Sequence, residues 1–140
     1  TAAIRFALSP ETLVIAGTTD GCASFIASGA REPGDAVSVL GTTLTLKLLS
    51  NKPINAPEFG IYSHRLLGNW LAGGASNTGG AALLSHFTAD EMTTLSAMIN
   101  PDKPTGLNYY PLPRKGERFP VNDPELQPRL TPRPDDAGTF

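Results

Sequence analysis

The scarcities of this sequence exclude a good deal before any motif is considered. Its 140 residues contain a single cysteine, Cys22. One thiol forms no internal disulfide and builds no metal site by itself, so a reducing, cytoplasmic setting is expected. Charge is sparse as well, with 17% of residues Asp, Glu, Lys or Arg and a net charge of −2. So weak a balance argues against nucleic acid or a membrane surface as partners. No apolar run approaches the ~20 residues that cross a bilayer. The opening Thr1-Ala2-Ala3-Ile4 has neither an initiator Met nor a basic-then-apolar leader pattern, and it reads as an interior stretch of a longer polypeptide.

Hydrophobic residues make up 40% of the chain, which is enough for one domain with a real core. The most informative stretch runs from Leu13 to Ala30. Leu13-Val14-Ile15-Ala16 has the length and branching of a buried strand. Cys22, Phe25, Ile26 and Gly29 then recur at helical spacing along one face. Between them lies Gly17-Thr18-Thr19-Asp20-Gly21, so an acidic residue is expected where a strand stops and a helix starts. Ligands of open α/β sheets sit at the carboxyl ends of strands, which makes Asp20 a candidate site residue. The plainer alternative is that Asp20 only caps the helix. Cys22 itself reads as a small buried hydrophobe.

Arg31-Glu32-Pro33-Gly34-Asp35 breaks this pattern and marks a plausible domain boundary. From Ala36 the period becomes that of strands, and AVSVL–GTT–LTLKLL reads as a β-hairpin turning at Gly41-Thr42-Thr43. A third strand is expected from Ile61 to Leu67, with a turn at Gly68-Asn69. His64 in that strand reads as a hydrogen-bonded structural histidine, and Trp70 beyond the turn as a packing anchor. The small-residue run Gly73–Gly80 is read as a close-packing stretch opening a helix through Ala81 to Phe87, with Asn77 and Thr78 as cap residues. Thr88-Ala89-Asp90-Glu91 is a capping box, followed by a stripe of Met92, Leu95, Met98 and Ile99. Leu107–Tyr110 suggests one more short strand. The last 30 residues hold seven of the thirteen prolines, so that tail is expected to be an extended loop outside the core. Glu117 and Arg118 in it suggest a local ion pair.

The order of elements is thus strand–helix, linker, strand–strand–strand–helix. An actin-like or ribonuclease-H-like nucleotide-binding domain begins in this way, and such domains come in pairs. Four stretches make the likeness specific: Gly17-Thr18-Thr19-Asp20-Gly21, Gly34 to Thr43, Ile61-Tyr62-Ser63-His64-Arg65, and Gly73 to Gly80. With the later Gly116-Glu117-Arg118-Phe119-Pro120 and Asp123-Pro124, they resemble the FGGY carbohydrate kinases, most of all the D-ribulose kinases and xylulose-kinase-like proteins. The resemblance runs from Leu13 onward but covers only a middle section of that two-domain family. It implies an α/β, ribonuclease-H-like or actin-like ATPase fold, present in part. Residues 1–33 would end the first, sugar-binding domain. Residues 34–110 would begin the second, nucleotide-binding domain, and residues 111–140 would be its extended loop.

The resemblance also implies an activity, the ATP-dependent phosphorylation of a sugar hydroxyl with Mg2+. The expected sugar is a ketopentose, D-ribulose first and xylulose or another polyol second. Asp20 would be the general base, accepting the hydroxyl proton as the oxygen attacks the γ-phosphorus. A helix N-terminus is a favourable place for its negative charge. Gly21, lacking a Cβ, would let backbone approach the sugar. Gly41, Thr42 and Thr43 would bind ATP phosphates through N–H groups and hydroxyls. No metal ligand is assigned. A non-catalytic sugar or nucleotide sensor is a competing reading, against which Asp20 argues because a sensor needs no base. A further reading is that these 140 residues are inert alone and self-associate, or pair with the rest of a kinase chain, through unpaired edges.

Overall fold

The computed structural model describes residues 2–140. Its frame is the hairpin that the period-two pattern predicts. Strand β1 (Ala36–Leu40) turns at Gly41–Thr43 into β2 (Leu44–Ser50), pairing Leu40 with Leu44 and Ala36 with Leu48. A second hairpin follows, β3 (Tyr62–Leu66) and β4 (Asn69–Ser76), around a two-residue turn in which Leu67 and Gly68 both have positive φ, 48° and 82°. Such a turn suits the right-handed twist of paired strands. The sheet is fully antiparallel, in the order β1-β2-β4-β3.

β4 is a finding that the sequence reading missed. Leu71-Ala72-Gly73-Gly74-Ala75-Ser76 is strand, in the middle of the sheet, paired with β2 throughout and with β3 as far as Gly73. Its glycines do pack closely, as expected, but inside a strand. A Cβ at Gly74 would overlap the ring of Phe119, which lies across the sheet there. Trp70 is likewise a strand residue, with the Arg65 guanidinium 5.0 Å from its ring centre.

Pairing register divides the sheet into two faces. Val37, Leu49, Leu71 and Leu66 share one of them, since directly paired residues of antiparallel strands point the same way. Helix α2 (Asp20–Ala27) lies on that face, and its Cys22 and Phe25 complete the core with Leu49, Leu66 and Leu71. Cys22 is a buried free thiol, as its sequence context suggests. Ile26 of the same helical stripe is 40% exposed. The opposite face carries Leu46, Leu48 and Ala72 beside Phe119, and it is the more open of the two, with a cavity of ≈ 270 Å³.

Five expectations need correction. Leu13–Ala16 is not a strand; Leu13, Val14 and Ile15 are 82%, 98% and 82% exposed. Branching and hydrophobicity favour a strand only where partner strands exist, and among the described residues none pairs with this segment. Leu107–Tyr110 makes a single bridge, Tyr110 to Arg129, and no strand. The helix after Gly79 is short, α3 (Gly80–Leu84), with Gly79 as its cap. Asn77 and Thr78 do not cap it and bond elsewhere, as described below. The last helix, α4 (Ala89–Ser96), begins with the expected capping box: Thr88 accepts from the Glu91 N–H, and Glu91 accepts from the Thr88 N–H at 2.8 Å. Its stripe is half-buried at Met92 and Leu95, while Met98 and Ile99 lie beyond the helix and are exposed. Finally, the Pro-rich tail has no regular element but does enter the core, with Leu112 and Glu117 buried. A short helix, α1 (Ala2–Arg5), precedes the exposed segment.

Candidate functional site

Asp20 is the first residue of α2, not its cap. That role belongs to Thr19, whose hydroxyl accepts from the Cys22 N–H at 3.4 Å. The Asp20 carboxylate is exposed and accepts one hydrogen bond, from the Gly21 N–H at 2.7 Å. Among the described residues the one ion pair is Lys115–Glu125, so no cation holds Asp20 within ion-pair distance. The expected first turn of a helix is therefore found, and the expected strand before it is not. Gly21 faces Lys47 of β2, whose Nζ lies 2.9 Å from where a Cβ of residue 21 would be.

The second candidate group is the turn Gly41–Thr43. Its backbone is closed by the Gly41 N–H donating to the Thr43 carbonyl at 3.0 Å. Its outward carbonyls are taken by the start of α3: the Gly80 N–H donates to Gly41 O at 2.7 Å and the Ala81 N–H to Thr42 O at 3.3 Å. Gly79 lies so close that a Cβ there would collide with the Thr42 carbonyl. Among the described residues nothing accepts from the N–H groups or hydroxyls of Thr42 and Thr43. Four donors thus stand at one turn whose carbonyls are fixed, an arrangement suited to an anion such as phosphate.

The two groups are not in contact. Gly21 meets β2 at Lys47, four residues past Thr43, which is about 13 Å along an extended strand. They are linked through one strand. His64 is exposed and packs edge-on to Tyr62 at 5.1 Å between ring centres, and no hydrogen bond of its side chain is recorded among the described residues. Among those residues no three His, Cys, Asp or Glu side chains converge as a metal site would require.

Glu117 is the group whose importance the sequence concealed. It is 3% exposed and makes no ion pair with Arg118. Its Oε1 accepts from the N–H groups of Asn77 and Arg118, both at 2.8 Å. Its Oε2 accepts from the hydroxyls of Ser76 at 2.7 Å and Tyr110 at 3.1 Å. The Asn77 amide donates to the Gly116 carbonyl at 2.9 Å. Burial alone would raise the Glu117 pKa, but the bonds from Asn77, Ser76, Arg118 and Tyr110 outweigh it and hold the carboxyl below its usual range. Burial and the neighbouring carboxylate push the Tyr110 phenol up to about 12. The only hint in the sequence was an acid flanked by Gly116 and the Pro120–Pro124 turn, since two of its four donors, Ser76 and Asn77, lie some 40 residues away.

With this geometry established, known proteins give it a context. No protein-family profile matches the chain. In sequence it is similar to gluconokinase of Bacillus subtilis (strain 168), with 25% identity over 143 aligned positions. That alignment takes in 89% of this chain and 28% of the gluconokinase. In structure it resembles a xyloylose kinase from Brucella ovis, with a TM-score of 0.69 and 24% identity over 96% of this chain and 29% of that one. The chain is thus similar in sequence to one sugar kinase and in fold to another. It spans less than a third of the length of either relative.

Proposed function

We propose that this chain forms part of an ATP-dependent sugar kinase of the FGGY type, with an actin-like arrangement of two domains. Residues 1–33 then belong to the sugar-binding side, residues 34–110 open the nucleotide-binding side and residues 111–140 form its loop. The observation that carries this reading is the presence, on one chain, of an exposed Asp20 at a helix start without an ion pair among the described residues and of a turn that holds four free donors. Phosphoryl transfer to an alcohol needs both a proton acceptor and a fixed cradle for phosphate oxygens. Asp20 takes the hydroxyl proton, Gly21 lets the sugar come close, and Gly41, Thr42 and Thr43 hold phosphate oxygens. ATP supplies the phosphoryl group, and Mg2+ travels with the nucleotide, since such ions are bound mainly by phosphates and one or two carboxylates. D-ribulose is the first substrate to test and D-xylulose the second. Gluconate joins them because the sequence relative is a gluconokinase.

The test is Asp20→Asn in the kinase polypeptide that contains this sequence, assayed against the three sugars with folding checked by circular dichroism. Loss of a general base costs ~10²–10⁴-fold in turnover. Wild-type turnover in a folded variant would remove Asp20 from the chemistry. The 140 residues alone are proposed to be inactive and to bind ATP weakly, because they carry a base and a phosphate turn without an assigned adenosine pocket. Micromolar binding of Mg·ATP in calorimetry would overturn that part.

A further inference from the structure

Resting on the reading of Gly41–Thr43 as a phosphate turn, we infer that Glu117 is the positioning residue that aims the turn's N–H groups. Among the described residues no cation forms an ion pair with the buried Glu117 carboxylate, and its place in the fold depends on the donors that surround it. Two of those donors are Ser76, the last residue of β4, and Asn77, which follows it and leads to the start of α3, where Gly80 and Ala81 contact the turn. Ser76 is paired across the sheet with Leu44, the residue that follows Thr43.

From Glu117 hydrogen bonds fix residues 76–79, and the backbone carries that constraint on to Gly80 and Ala81. Because the Ser76 proton goes to Glu117, its oxygen is free to accept from the Thr78 N–H at 3.0 Å and from the Thr78 hydroxyl at 2.6 Å. The Gly79 N–H donates to the Asn77 carbonyl at 3.1 Å. Gly80 and Ala81 then hold the carbonyls of Gly41 and Thr42. In a planar trans peptide the carbonyl of one residue points opposite to the N–H of the next. Fixing Gly41 O and Thr42 O toward α3 therefore turns the N–H groups of Thr42 and Thr43 away from it, toward open space. Glu117 touches no phosphate itself. It acts through residues 76–81, which set the orientation of two peptide planes.

The experiment uses the 140-residue chain and its Glu117→Gln and Glu117→Ala variants, with amide exchange and resonance shifts followed by NMR. Inorganic triphosphate is the probe. In the wild type the amides of Thr42 and Thr43 should shift on titration, and those of Gly80 and Ala81 should be protected. Glu117→Ala should speed exchange at Gly80 and Ala81 and weaken triphosphate binding, each by about tenfold, because buried donors lose their acceptor. The amide of Leu49, which donates to Asp35 at 2.9 Å elsewhere in the sheet, should stay protected as a control for folding. Glu117→Gln keeps one acceptor oxygen and should recover most of both effects; it also serves if the alanine variant does not fold. Normal Gly80 and Ala81 protection, or undiminished triphosphate shifts, in a folded Glu117→Ala or, failing that, in Glu117→Gln with no loss at all, overturns this inference alone. Absence of shifts in the wild type overturns the phosphate reading and the inference with it.

Discussion

Two irregular segments of this chain have opposite fates. Residues 13–16 are apolar and branched, yet Leu13, Val14 and Ile15 stand in solvent. Residues 111–126 are rich in proline and charge, yet they bury Leu112 and Glu117. The difference lies in partners. The first segment finds no strand to pair with and no face to cover. The second meets the end of β4, where Ser76 and Asn77 offer donors that a carboxylate can satisfy, and the open face of the sheet, where Phe119 lies over Gly74. Hydrophobicity states what a residue would gain by burial; the surrounding fold decides whether burial is on offer.

The same residue type in both segments gives the sharpest test. Leu112→Ala should cost about 3 kcal/mol in urea unfolding, the usual range for a buried leucine, whereas an equal loss at exposed Leu13 would erase the contrast. Glu117→Ala should cost about 2 kcal/mol, since several buried donors lose their acceptor at once, and Glu117→Gln less. A Glu117→Ala protein as stable as wild type would show that the tail is not held through its carboxylate.

Titration probes the same contact from both sides. Glu117 has a folded pKa below its unfolded value, so its contribution is present above about pH 4.5 and is lost as pH falls through the lower folded value. Tyr110 is shifted the other way, to about 12, so its contribution is present below pH 10 and is lost as pH rises toward 12. Stability measured against pH should fall at both ends, and Tyr110→Phe should flatten the alkaline limb most and the acid limb less, since its hydroxyl is also one of the donors that hold Glu117 low. The smallest effect belongs to the exposed segment. Leu13→Ala, or Val14→Ser with Ile15→Ser, should stay within about 0.5 kcal/mol of wild type by thermal unfolding.

The parts legible in the sequence are those decided by neighbours along the chain. Alternation gave the β1–β2 hairpin, helical spacing gave α2 with Cys22 and Phe25 inside, and Thr88 with Glu91 gave a capping box. Asp20 at the start of a helix and Gly41–Thr43 at a turn were legible for the same reason. What escaped was decided across the chain. Ala72-Gly73-Gly74-Ala75 has poor strand propensity and becomes strand only because β2 and β3 flank it. Glu117 looks like a surface charge until Ser76, Asn77 and Tyr110 are brought around it. Leu13–Ala16 failed in the opposite sense, since a pattern that suits a strand says nothing of whether another strand is waiting.

The meeting of Gly74 and Phe119 carries a consequence for how this sequence can change by descent. A ring occupies the space that any side chain at position 74 would need, so changes at the two positions are sterically coupled. A lineage that first acquires alanine at 74 must displace the aromatic, and with it the loop that leads back to Glu117. A lineage that first shrinks residue 119 opens a void and can then fill it from position 74. The two routes reach the same pair of residues, but only the second passes through an intermediate in which nothing collides.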